Sequence, residues 1–138
     1  MSKIANVAGE IATLIRNAEG AQCAVLDFIP DLDLSQVRDL RIIVTPQGYS
    51  RSNTGAATRA APDQFLTVNI AFLKKCVDEN EITGMLALVE NVAASVERKQ
   101  VSCGLITAVE NDPIYDVTIF RQKKIFLSIM TATVKVLA

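Results

Sequence analysis

Few residues along this 138-residue sequence could carry out chemistry. It contains no His, which removes the commonest general base, the commonest metal ligand and every Ser–His or Cys–His nucleophile pair. Catalysis through carboxylates or Lys is not excluded by that. The best acidic group is Asp27, Asp31 and Asp33. Asp31-x-Asp33-x-Ser35 begins like a calcium loop, but the sixth position is Gln36 where Gly is required and the twelfth is Ile42 where Glu is required. These carboxylates are therefore expected to accept backbone N–H bonds in a turn after Pro30. Cys103 has no imidazole to activate it and reads as a small hydrophobe. Phosphate-binding glycine loops of the GxxxxGK(S/T) and GxGxxG types are absent. Tyr49 and Arg51 sit in a polar stretch and could meet a ligand phosphate or a neighbouring subunit. Neither an enzymatic activity nor a metal or cofactor is expected.

The composition narrows the class. The length suits a single domain over residues 1–138, and a chain of this size buries enough surface to need no disulfide or metal. Half of the residues are hydrophobic, mean hydropathy is +0.29 and aromatics make up only 5%. The core must therefore be aliphatic, and part of this apolar surface is expected to be buried against partners. The 14 basic and 15 acidic residues nearly cancel, so the overall basic excess of a nucleic-acid-binding protein is missing. The runs Arg98-Lys99 and Arg121–Lys124 read as solvated faces. Cys23, Cys76 and Cys103 are odd in number and lack a CxxC spacing, so they read as reduced thiols. Polar residues interrupt the first segment, so neither a signal peptide nor a membrane span is expected, and the chain is expected to be made and kept in a reducing cytosol.

The positioning elements come from periodicity. Ile4, Val7, Ala8, Ile11, Leu14, Ile15 and Ala18 form one helical stripe, predicting a helix over 3–18 that Gly20 ends. A short strand fits 21–29, and an acidic turn follows Pro30. Leu40 to Thr45 alternates as a second strand that stops at Pro46. Residues 47–63 have no period and read as a long loop, or as a loose ribbon continuing the flanking strands. Leu66, Val68, Ile70 and Phe72 alternate as a third strand. Ile82, Met85, Leu86, Val89, Val92, Ala93 and Val96 predict a second helix over 79–98, with acids at its start and Arg98 and Lys99 at its end. Residues 104–111 are ambiguous, Asp112-Pro113 marks a turn, 114–120 reads as extended, and 125–137 is a long β-branched strand. The expected fold is α+β: a mostly antiparallel sheet of four to five strands, two helices on one face and a long loop between strands two and three.

Several stretches in order carry a family resemblance. Phe28-Ile29-Pro30-Asp31-Leu32-Asp33-Leu34 leads into Leu40-Arg41-Ile42-Ile43-Val44-Thr45-Pro46. A loop with Ser50-Arg51 follows, then the strand Leu66–Phe72. Asp112-Pro113-Ile114-Tyr115-Asp116 comes next, and Phe126-Leu127-Ser128-Ile129 closes the succession. It resembles the tail-terminator or tail-completion (neck) proteins of long-tailed bacteriophages over nearly the whole chain. The resemblance implies a virion protein, assembled in the host cytoplasm, that forms a homo-oligomeric and usually hexameric ring. Such a ring caps the tail tube, stops its polymerisation and offers its other side to the head-completion (stopper) protein, with DNA only as passing cargo and no membrane partner. Tyr49, Arg51 and Arg59 are then the leading candidates for subunit contact, because Tyr and Arg supply interface hot spots. Asp31, Asp33 and Tyr115 complete the set. The alternatives are another neck or tail component, such as a stopper or tube-like subunit, or a small bacterial ligand-binding or regulatory α+β domain.

Overall fold

A computed structural model describes residues 2–19, 23–28, 34, 37–52 and 63–136. Helix α1 spans Lys3–Glu19 and strand β1 spans Ala24–Leu26. The long strands β2 (Arg41–Ser52) and β3 (Asp63–Lys75) precede helix α2 (Glu79–Val96). After them come β4 (Gln100–Val101), β5 (Gly104–Glu110), the short helix α3 (Val117–Lys123) and β6 (Ile125–Val136). The six strands form one sheet in the order β1-β2-β3-β6-β5-β4. All its pairings are antiparallel except that of β1 with β2.

The α+β class holds, but the expected details need correction. The sheet has six described strands rather than four or five: the short strand expected over 21–29 is present as the three residues of β1, the ambiguous 104–111 forms β5, and the two-residue β4 is additional. Segments that short show no period in sequence. A third helix replaces the extended segment expected over 114–120. Asp116 caps it, accepting a hydrogen bond from the Ile119 N–H at 2.9 Å, and Lys124 closes it in the left-handed region at φ 58°. Two good caps outweigh the β-branched character of Val117, Thr118 and Ile119. The second strand does not stop at Pro46. It continues to Ser52 through a register shift between Pro46 and Gly48, and a proline is tolerated on an edge strand or at a bulge. Of residues 47–63, expected as a long loop or a loose ribbon continuing the flanking strands, 47–52 and 63 are strand, and 53–62 lie outside the described residues.

One sheet face packs against α1 and α2. Val7, Ala8, Ile11, Ala12 and Ile15 of α1 meet Met85, Val89, Val92 and Val96 of α2 over the alternate residues Leu66, Val68, Ile70 and Phe72 of β3 and Phe126, Met130, Ala132 and Val134 of β6. Both helical stripes and both alternations are where their periods predict. The sheet curls around α1, which is tied to both edges: Arg16 Nε donates to the Ala24 carbonyl at 2.6 Å, and Glu10 Oε2 accepts from the Ser102 N–H at 3.0 Å. On the opposite face a smaller cluster of Val37, Ile43, Leu73 and Ile125 is covered by Leu34 and by Ile119 of α3.

β5 accompanies β6 only from Thr131 onward, and the turn before α3 takes over along the rest of β6. Asp116 N–H donates to the Leu127 carbonyl at 2.9 Å. Asn111 secures the point of departure. With its amide oriented to satisfy both ends, it accepts the buried Ser128 hydroxyl at 2.9 Å and donates to the Ile129 and Pro113 carbonyls at 3.2 and 3.0 Å. The Asp112-Pro113 peptide bond is cis.

Candidate subunit-contact surface

The distal halves of β2 and β3 form a ribbon beyond the helices. β1 reaches only Val44 on β2, so from Thr45 to Ser52 the outer edge of β2 carries no strand among the described residues. The bulge decides which way this ribbon presents its side chains. Before it, Ile42 and Val44 point to the helix-bearing face with Phe72 and Ile70 opposite them. After it, Tyr49 stands opposite Leu66 and Arg51 opposite Gln64. Parity has changed, and odd-numbered residues now share the face that even-numbered ones held. Gly48 suits the turnover, since a Cβ there would come within 2.6 Å of Thr67 Oγ1.

Tyr49 and Arg51 are thus brought together, on one face of one strand and both exposed, with Tyr49 57% accessible. Beside Tyr49 the start of α1 forms a shallow cleft of about 320 Å3, lined by Ser2, Lys3, Ile4, Gln64 and Leu66. Tyr115 is not part of this surface. It is half-buried and stacks on Phe126 with ring centroids 5.3 Å apart and planes 21° apart. Phe126 lies opposite Lys74 and Tyr49 opposite Leu66, so the two tyrosines stand at opposite ends of the sheet, roughly 25 Å apart along β3. Arg59, Asp31 and Asp33 lie outside the described residues.

Sequence reasoning missed a second concavity. The outward side of α1, Leu26 of β1 and the segment Gln100–Ser102 enclose a cleft of about 720 Å3. It exists because the curled sheet brings both edges to α1, and no local pattern signals that. Exposed Phe28 and Val77, 60% and 70% accessible, also stand outside the expected set.

The chemically competent groups are scattered. Cys76 is fully buried, whereas Cys23 and Cys103 are half-buried, and all three thiols are free. Burial pushes the Cys76 thiol above its ordinary value, opposed by Lys74 and reinforced by Glu81 and Asp78. Such a thiol is inert at neutral pH. Among the described residues no group of three His, Cys, Asp or Glu side chains could hold a metal ion, and no helix is long and apolar enough to cross a membrane.

Compared with known proteins, the chain matches no protein-family model and no curated protein sequence.

Proposed function

We propose that the chain is a structural subunit that closes into a ring, caps a phage tail tube and joins it to the head-completion protein. One observation carries this reading most: the β2–β3 ribbon projects Tyr49 and Arg51 into solvent beside a strand edge that, from Pro46 to Ser52, pairs with no other strand among the described residues. Free edges are pairing surfaces that a lone domain normally shields, and exposed Tyr and Arg are the side chains that anchor interfaces. A ring needs heterologous contacts that close after a fixed rotation, and a tube cap needs a projecting element that reaches the ring below. The ribbon is suited to either task. The resemblance of several sequence stretches, in order, to tail-terminator proteins gives the reading its particular form.

Light scattering at increasing concentration tests the ring, with a mass of several subunits, six by the family pattern, as the expected result and a persistent monomer as the contrary one. Infected cells lacking the protein should assemble tails of irregular length, measured on electron micrographs. Tails of normal length would reject the capping role.

The cleft beside α1 favours a second reading, a small ligand-binding domain. Its volume lies within the range of small-molecule sites, and Leu14, Leu26 and Val101 line it together with Asn6, Glu10 and Thr13. A monomer whose melting temperature rises with a metabolite would support that reading instead.

A further inference from the structure

Half of the chain's 14 Lys and Arg residues fall in three short segments, 38–41, 74–75 and 121–124. The fold gathers these segments at one corner of the sheet. Lys75 N–H donates to the Arg38 carbonyl at 3.3 Å, and Cys76 N–H donates to the Lys124 carbonyl at 2.9 Å. Lys75 pairs with Ile125, one residue beyond Lys124. On the face away from α1 and α2, Arg38, Lys75 and Lys123 surround a depression of about 220 Å3 floored by Leu34, Val37 and Ile125.

All three cations are exposed, and among the described residues none of them is paired with a carboxylate. Asp39 is the one acidic residue in these segments. Asp78 and Glu81 follow β3 on the helix-bearing side, where they act on Cys76 together with Lys74. Lys75 alternates to the other face with Leu73. Like charges held close together repel one another, and a multiply charged anion seated among them relieves that repulsion. Lys offers a point charge and Arg a planar fork of donors, both suited to phosphate oxygens. The depression is smaller than a drug-sized pocket and has room for one or two phosphate groups.

We propose that this corner binds phosphate groups, with Arg38, Lys75 and Lys123 as their ligands. The site does not depend on ring formation and would operate in a monomer. Two sources share the chemistry: a small free phosphate compound and the phosphodiester backbone of nucleic acid.

The test follows amide NMR shifts of the full chain during titration with inorganic pyrophosphate, and separately with a short DNA duplex, each against chloride at matched ionic strength. Pyrophosphate should shift the amides of Val37, Lys75 and Ile125. The double variant Lys75→Glu/Lys123→Glu should bind it at least about tenfold more weakly, as expected when charge-assisted bonds to phosphate are lost. Arg98→Glu/Lys99→Glu, placed after α2, should bind as the parent does. DNA binding tighter than that of pyrophosphate, and steeply weakened by salt, would identify the nucleic-acid backbone as the source. Pyrophosphate binding without DNA binding would identify a free phosphate compound. Shifts that avoid the corner, or that persist undiminished in Lys75→Glu/Lys123→Glu, would overturn the proposal.

Discussion

Cys76 and Gly104 illustrate how single residues are held by their surroundings. Because folding raises the Cys76 thiol pKa, its linkage to stability has a definite sign. Below the ordinary thiol value both folded and unfolded chains keep the proton, and stability is unaffected. As pH climbs past that value the unfolded chain ionises first, so the folded state loses ground until its own thiol titrates. The parent protein should therefore lose more melting temperature between neutral pH and about pH 10 than Cys76→Ala does, with the window set by the ordinary thiol range. Iodoacetamide should label Cys23 and Cys103 first and Cys76 only in denaturant, as mass spectrometry would record. Gly104 is fixed by proximity. A Cβ there would collide with the backbone carbonyl of Lys135 on the paired strand, and backbone cannot swing aside as a side-chain tip can. Gly104→Ala should cost about 1–3 kcal/mol, read as a lower urea midpoint with an unchanged slope.

At the level of elements, the central strands carry the fold and the ribbon is expected to carry the contacts. Val68 is completely buried between the helices and the sheet. Val68→Asp should destabilise by about 4 kcal/mol or more, because an unpaired carboxylate would enter an apolar core. Loss of the cooperative thermal transition checks this. Arg51 is exposed on β2, and charge reversal there should leave the melting curve within about 1–2 °C of the parent, as for most surface changes. By the capping reading, Arg51→Glu should nevertheless abolish co-sedimentation with tail tubes. Undiminished co-sedimentation would remove the ribbon from the docking surface.

These elements were legible in sequence to unequal degrees, for physical reasons. The stripes of α1 and α2 and the alternations of β3 and β6 each span several periods over one buried face, so pattern alone located them. β1 was legible only as a short strand within 21–29, and β4, at two residues, is too short to hold a period and is recruited by β5. In α3 the chain follows its caps at Asp116 and Lys124 against the leaning of its β-branched residues. The ribbon was legible only as the alternative to a long loop, because its residues are polar and because the register shift after Pro46 breaks the alternation that marks a strand.

For the molecule as a whole, charge that looks balanced along the chain is unevenly distributed in space. Arg121–Lys124 reads in isolation as a solvated run, yet the backbone bonds of Lys75 and Cys76 set it beside Arg38 and Lys75. Proximity of that kind is tertiary, and no sequence window contains it. The curled sheet has a similar effect on α1, whose outward side becomes the floor between two edges that are far apart in the strand order. The cationic corner lies at the start of β6, whereas the Tyr49 end of the ribbon lies beside its finish. Binding at one need not obstruct the other.

The extra residue between Pro46 and Gly48 also bears on how such a surface could diversify. Because residues directly opposite one another share a face, deleting that one residue would leave Tyr49 opposite Leu66 and Arg51 opposite Gln64, removing the local bend while keeping the same side chains exposed. A lineage could thus re-aim the outer ribbon in a single genetic event, without re-evolving the scaffold or the contact residues it carries.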